Sequence, residues 1–232
     1  MKLFPTDSFS TQTGKVLEID FLVHSSLIFK FGNRVIYVDP TCRLCDFSDF
    51  EKADFIFFTH HHSDHFDLAA IEQLSNEDTT IVCTKTVADT IPNRADLDIE
   101  IMNNWDSISF RKGMTVDAVP AYNYVMREQY HPQGRDNGYI FTFDGLKVYV
   151  AGDTEDVPAI HKLAEKAIDI AFLPIDQPYT MTVKQVCNAA NIIKPKIFYP
   201  YHIGQTNEFT DLEQLSAAFA EKNIELRLRF QP

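Results

Sequence analysis

The stretch Phe55-Ile56-Phe57-Phe58-Thr59-His60-His61-His62-Ser63-Asp64-His65 decides how the rest of this chain is read. Its four opening apolar residues predict a short buried strand. The polar run that follows places His60, His62, Asp64 and His65 within six residues. Side chains at i and i+2 on extended backbone point to the same side, so His60 and His62 can grip one metal ion together. The chain then turns, and Asp64 and His65 can face a second ion. His61, between two candidate ligands, should point away from them. Imidazole and carboxylate donors suit Zn²⁺ first, with Mn, Fe and Ni as alternatives. Two ions about 3.5–4 Å apart can share a water and lower its pKa toward neutrality.

Such a pair of ions needs a bridging carboxylate and ligands from elsewhere. Gly152-Asp153-Thr154 follows the apolar run Val148 to Ala151, which makes Asp153 the candidate bridge. His202 ends the predicted strand Ile197 to Tyr201 and is the natural late ligand of the second ion.

Around these residues the chain reads as strands first and mixed helices and strands after, twice over. Strands are predicted at Val16–Val23, Ser26–Phe31, Arg34–Val38 and Thr79–Cys83, with Gly32-Asn33 as a hairpin turn. Asp67 should cap a helix that buries Leu68, Ile71 and Leu74. Ser107 to Val119 reads as two strands around Lys112-Gly113. Tyr139–Phe143 and Leu146–Ala151 form a hairpin around Asp144-Gly145. Asp156-Val157-Pro158 opens a helix, and Ile168–Leu173 is a strand. Thr182-x-x-Gln185 is a capping box for a helix that ends at Lys194-Pro195, and Thr210-x-x-Glu213 starts a last helix. Glu225–Phe230 closes the chain as a strand. No linker or solenoid repeat divides it, so residues 1–232 read as a single domain, and the pattern supports α+β or mixed α/β.

The chain has 232 residues, 45% of them hydrophobic, enough for a substantial core. Its net charge of -12 repels polyanions and counts against a general nucleic-acid binder. No apolar stretch approaches the ~18 residues of a membrane span, and Met1 to Thr13 lacks the pattern of a signal peptide. The expectation is a cytoplasmic protein that meets neither nucleic acid nor membrane. Cys42, Cys45, Cys83 and Cys187 read as ordinary buried or turn thiols, since Cys42-x-x-Cys45 has no second pair at zinc-site spacing.

Taken together, His60-x-His62-x-Asp64-His65, Gly152-Asp153-Thr154 and His202 resemble the metallo-β-lactamase superfamily. Val23-His24-Ser25-Ser26, Tyr37-Val38-Asp39-Pro40, Val119-Pro120-Ala121-Tyr122 and Asn137-Gly138-Tyr139 are similar to its L-ascorbate-6-phosphate lactonase-like branch of small metal-dependent hydrolases. The resemblance implies a four-layer αββα sandwich with two ions at one edge. It implies that His60 and His62 bind the first ion, that Asp64, His65 and His202 bind the second, and that Asp153 bridges them. Asp39 would orient the histidine loop, because ligating imidazoles need their other N–H held. The superfamily usually has a third histidine for the first ion where this chain has Asn123. Either His131 reaches in from the following loop, the preferred alternative, or the site lacks a third histidine. His24 is expected to pack beside the site rather than bind, and His161 to be solvated.

The implied activity is hydrolysis of a small ester, lactone or phosphoester by a hydroxide bound to two metal ions, with Asp64 and Asp153 as the catalytic carboxylates. The alternatives are a phosphodiesterase acting on nucleic acid or phospholipid, and a non-catalytic metal-binding protein. The loop from Tyr122 to Asn137 is long enough to wall a pocket, and Tyr179 is a weaker candidate for substrate contact. Arg127, Arg135 and Lys85 are the cations that could hold an anionic substrate. The aromatic content is compatible with a homo-oligomer but does not require one.

Overall fold

The computed structural model describes residues 4–110, 114–125, 127–204, 212–220 and 222–230. Its contacts divide the chain into two compact units, Met1–Asn103 and Asn104–Pro232.

The first unit is a seven-stranded sheet in sequence order. Strands β1 (Thr6–Ser10), β2 (Val16–Phe21), β3 (Leu27–Phe31) and β4 (Arg34–Val38) form an antiparallel meander. Strands β5 (Phe55–Phe57), β6 (Thr80–Cys83) and β7 (Asp98–Ile101) continue it in parallel. Parallel neighbours need crossovers, and helices α1 (Leu68–Leu74) and α2 (Lys85–Thr90) lie in two of them. Asp67 caps α1 by accepting from the Ala69 N–H at 3.0 Å. Ala70, Ile71 and Leu74 of α1 join Ile28, Tyr37, Ile56 and Ile81 of the strands in one buried cluster. The alternate residues Phe29, Ile36, Phe57 and Val82 are buried too, so both faces of these strands are covered. This explains why β5 reads as an unbroken apolar run rather than an alternation.

The second unit follows the same plan. Strands β8 (Ser107–Phe110), β9 (Met114–Ala121), β10 (Asp136–Phe143) and β11 (Leu146–Val150) form an antiparallel meander. Strands β12 (Ile170–Ile175), β13 (Ile197–Ile203) and β14 (Glu225–Leu226) extend it in parallel. Helices α3 (Pro158–His161), α4 (Val183–Ile193) and α5 (Leu212–Phe219) occupy the three crossovers. The Asp144-Gly145 turn has φ 49° and 88°, the left-handed pair that a tight hairpin requires. Both bonds of the Thr182–Gln185 capping box are present, at 2.8 and 3.1 Å.

Several expectations shift. The polar start of the chain carries β1, and α2 and β7 also escaped prediction. Their residues are largely exposed and show no clean apolar period. Helix α3 is a single turn, and the final strand stops at Leu226. Lys112-Gly113 and the Thr210 cap lie outside the described residues.

No cysteine is in a disulfide. Burial pushes the Cys83 thiol, at the end of β6, up to about 12. Because the thiolate is the reactive form, Cys83 is expected to resist an aromatic disulfide reagent at pH 8 until the protein is denatured. Rapid labelling of Cys83 under native conditions would show that this end of the sheet opens.

Candidate metal centre

In the first unit, β4 and β5 run parallel and β3 runs against them. The carboxyl ends of β4 and β5 and the start of β3 therefore share one sheet edge. That edge carries His24-Ser25, Asp39 and the loop from Thr59 to His65. Asp39 is completely buried and sits at φ 48°, a left-handed conformation that disfavours a residue with a Cβ. It accepts from the Thr59 N–H at 2.8 Å and the Thr59 hydroxyl at 2.7 Å, and it holds His65 Nδ1 at 2.8 Å. Because Thr59 donates its hydroxyl proton to Asp39, its oxygen can accept from His60 Nδ1, 2.9 Å away. One carboxylate thus orients two imidazoles and makes Nε2 the basic nitrogen of each.

The ligand atoms of His60 and His62 lie within 4.8 Å of one another, as do those of His24, Asp64 and His65. His24 Nε2 is 3.3 Å from Asp64 Oδ2. The expected packing role of His24 therefore brings it directly onto a candidate ligand. The His61 ring lies 5.0 Å from that of His62, centroid to centroid.

In the second unit, β9 and β11 are both antiparallel to β10, and β11, β12 and β13 are parallel. The ends of β9, β11, β12 and β13 and the start of β10 therefore share one edge, which carries Asn123, Asp136, Asp153, Asp176 and His202. His202 lies inside a strand, where a side chain would ordinarily follow the pleat. The register breaks there: Pro174 pairs with Tyr201 but Ile175 pairs with Ile203, so His202 is the extra residue of a bulge, with φ 48°. A bulge re-aims one side chain without ending the strand. His202 Nδ1 lies 3.4 Å from Asp176 Oδ2, and its Nε2 lies 3.4 Å from Asp153 Oδ2.

His131 Nε2 approaches the same Asp153 oxygen at 3.5 Å, while its Nδ1 lies 3.2 Å from Asp136 Oδ2. Burial alone would raise the Asp136 carboxyl. The Arg135 guanidinium, at 2.8 Å through both Nε and Nη2, outweighs it with His131 and holds the group below the usual carboxylate range. Asn123 is buried. Its Nδ2 donates to the Tyr179 carbonyl at 2.7 Å, and its N–H donates to the His131 carbonyl at 2.8 Å. The segment after Asp153 anchors the same loop. Glu155 Oε2 accepts from the N–H groups of Tyr124 and Val125 at 2.9 and 2.7 Å, and the Thr154 hydroxyl donates to the Tyr122 carbonyl at 3.0 Å.

Residues 18–202 match the model of the β-lactamase superfamily domain. The chain belongs to the metallo-β-lactamase superfamily. It is 30% identical over 221 residues to a metal-dependent hydrolase of Methanosphaera stadtmanae, spanning 90% of this chain and 92% of that one. A crystal structure described only as that of a metal-dependent hydrolase, from Parabacteroides distasonis, is 44% identical. It matches with a TM-score of 0.91 over 99% of this chain and all of the other. Igni18, a metallo hydrolase of Ignicoccus hospitalis, is 20% identical with a TM-score of 0.75, over 91% and 94% of the two chains. That match shows the fold alone. The expected α+β class and metallo-β-lactamase fold are thus met. No helix among the described residues is long and apolar enough to cross a membrane.

Within this superfamily member, sequence reasoning missed the roles of Thr59 and Asp136, which accept from imidazoles, and of Asp176, which lies beside His202. Thr59 could have been found as the residue joining strand to histidine loop. Asp176 had no signal of its own. His161 is exposed, as expected, and also pairs with Asp156 at 2.8 Å. Of the three cations considered for an anion, Arg135 is engaged by Asp136 and Lys85 by Asp89.

Proposed function

We propose that this protein is a metal-dependent hydrolase whose two units act as one domain over residues 1–232. His60, His62 and His131 would hold a first divalent ion, Asp64, His65 and His202 a second, and Asp153 both. One observation carries the proposal. Three of these imidazoles have Nδ1 hydrogen-bonded to an oxygen that fixes the ring, from Thr59, Asp39 and Asp136 respectively for His60, His65 and His131, and His202 Nδ1 lies 3.4 Å from Asp176 Oδ2. Metal-ligating histidines are held in this way, because the partner sets the tautomer and raises the basicity of the other nitrogen. The nitrogen-rich donor set fits zinc.

Two divalent cations bound there would supply Lewis acidity, lowering the pKa of water at the site toward neutrality and polarising the bond to be cleaved. The chain's own groups do the positioning. Asp153 offers one oxygen to the sides of both His131 and His202. Asp64, within reach of His24 and partly exposed, can hold a proton taken from the attacking water and return it to the leaving group. The substrate class that fits is a small ester, lactone or phosphoester.

The test is metal content per chain in protein purified without added metal, together with a screen of lactones, esters and phosphoesters. About two ions in wild type and about one in His131→Ala are expected. One ion or none in wild type, unchanged in the variant, would overturn the dinuclear proposal.

A further inference from the structure

We propose that Arg127 is the anion-recognising residue of this protein, and that the molecule it hydrolyses carries a carboxylate or phosphate apart from the bond that is cleaved. Calling that anion part of a substrate rests on the function proposed above. The anion site itself rests on the loop between β9 and β10.

That loop is a built structure. Glu155 and Thr154 hold its root, Asn123 closes its neck onto the His131 carbonyl, and Asn123 also ties it to Tyr179. At its tip the Tyr130 N–H donates to the Arg127 carbonyl at 2.9 Å, forming a turn that leads directly into His131. The Arg127 guanidinium carbon lies 4.6 Å from the Tyr179 ring centroid and 5.8 Å from that of Tyr130. The two rings meet edge to face, with centroids 6.0 Å apart. Two tyrosines from separate segments therefore cradle one cation.

A guanidinium held over aromatic rings by cation–π attraction keeps its N–H donors available to fork an oxyanion. Arg127 is exposed and has no carboxylate partner among the described residues. That separates it from Arg135 and Lys85, which have one each, and it is notable in a chain of net charge -12. Glu128 and Gln129, the next two residues, wall a cavity of about 310 Å³ together with Tyr122 and Asn123. Such a volume suits a small molecule.

The experiment uses the full-length protein as purified, with its metal content measured. Arginine-selective dicarbonyl labelling is followed by mass spectrometry with and without inorganic phosphate or acetate. Hydrolysis of monophenyl succinate and of neutral phenyl acetate is compared in wild type, Arg127→Ala and Arg127→Lys. Expected are at least tenfold slower labelling of Arg127 under anion, with other exposed arginines unchanged. KM for the anionic ester should rise about tenfold in Arg127→Ala, with kcat and the neutral ester little changed. Arg127→Lys should restore part of the loss, because charge remains and the fork does not. Protection by phosphate alone would assign a phosphate-bearing ligand, and protection by both would assign either anion. Labelling unaffected by either anion would overturn the inference, as would an equal KM change for both esters, the mark of a merely structural cradle. Protection in a protein without two metals would leave the anion site standing and remove the dinuclear hydrolase. Two metals with no protection would do the reverse.

Discussion

Asp39→Ala is expected to destabilise the protein by ~3 kcal/mol and to weaken metal binding by about 10- to 100-fold, although Asp39 is not itself among the proposed ligands. Its carboxylate receives the Thr59 N–H, the Thr59 hydroxyl and His65 Nδ1, all within 2.8 Å and all buried. The hydroxyl can turn elsewhere. The N–H cannot, and His65 Nδ1 keeps only the longer contact to Ser25 Oγ at 3.3 Å; each buried donor left without an acceptor costs about 1–3 kcal/mol. The left-handed backbone at Asp39 adds to this, since alanine tolerates that conformation less well than aspartate. Asp39→Asn separates the two effects. It keeps one carbonyl oxygen and the side-chain shape, but its NH₂ cannot accept from His65. Stability should fall less than in Asp39→Ala, while the His65 tautomer loses its anchor. Metal titration alongside thermal unfolding checks both. Wild-type metal affinity in Asp39→Ala would sink the claim that this carboxylate orients the histidine loop.

Gly138→Ala is expected to cost about 3 kcal/mol, a fall in Tm of roughly 6–12 °C for a chain of this size. A Cβ at residue 138 would lie 2.5 Å from the Ala151 carbonyl oxygen and 2.8 Å from its carbon and from the Val150 oxygen. All three are backbone atoms of the neighbouring segment, so no side chain can rotate away. Either β10 and β11 part or the backbone at Ala151 moves. Gly152 and Asp153 follow immediately, which makes this a defect of the site as well as of the sheet. Reduced metal content per folded chain should therefore accompany the lower Tm. A Tm within a degree or two of wild type would show that the two strands separate at little cost.

Local pattern made much of this protein legible. The histidine loop, the Asp144-Gly145 hairpin and the Thr182–Gln185 box each depend on residues a few positions apart, and their chemistry is written in type and spacing. Elements whose side chains remain exposed, such as β1 and β7, lack that signature because no buried face imposes a period on them. Loop sequence alone does not say which way His131 points.

By itself, then, the sequence determined the superfamily, the α+β class, the histidine loop and the strand ends that carry Asp153 and His202. Only the tertiary structure decided what surrounds them. Asp39 meets His65 across 26 residues, and Arg127 meets Tyr179 across more than fifty. His202 leaves the pleat through a bulge whose pairing partner lies on another strand. The physical reason is the same in each case. A hydrogen bond, a ring contact or a register break belongs to two segments at once, and which segments become neighbours is settled by how strands pair and what they bury.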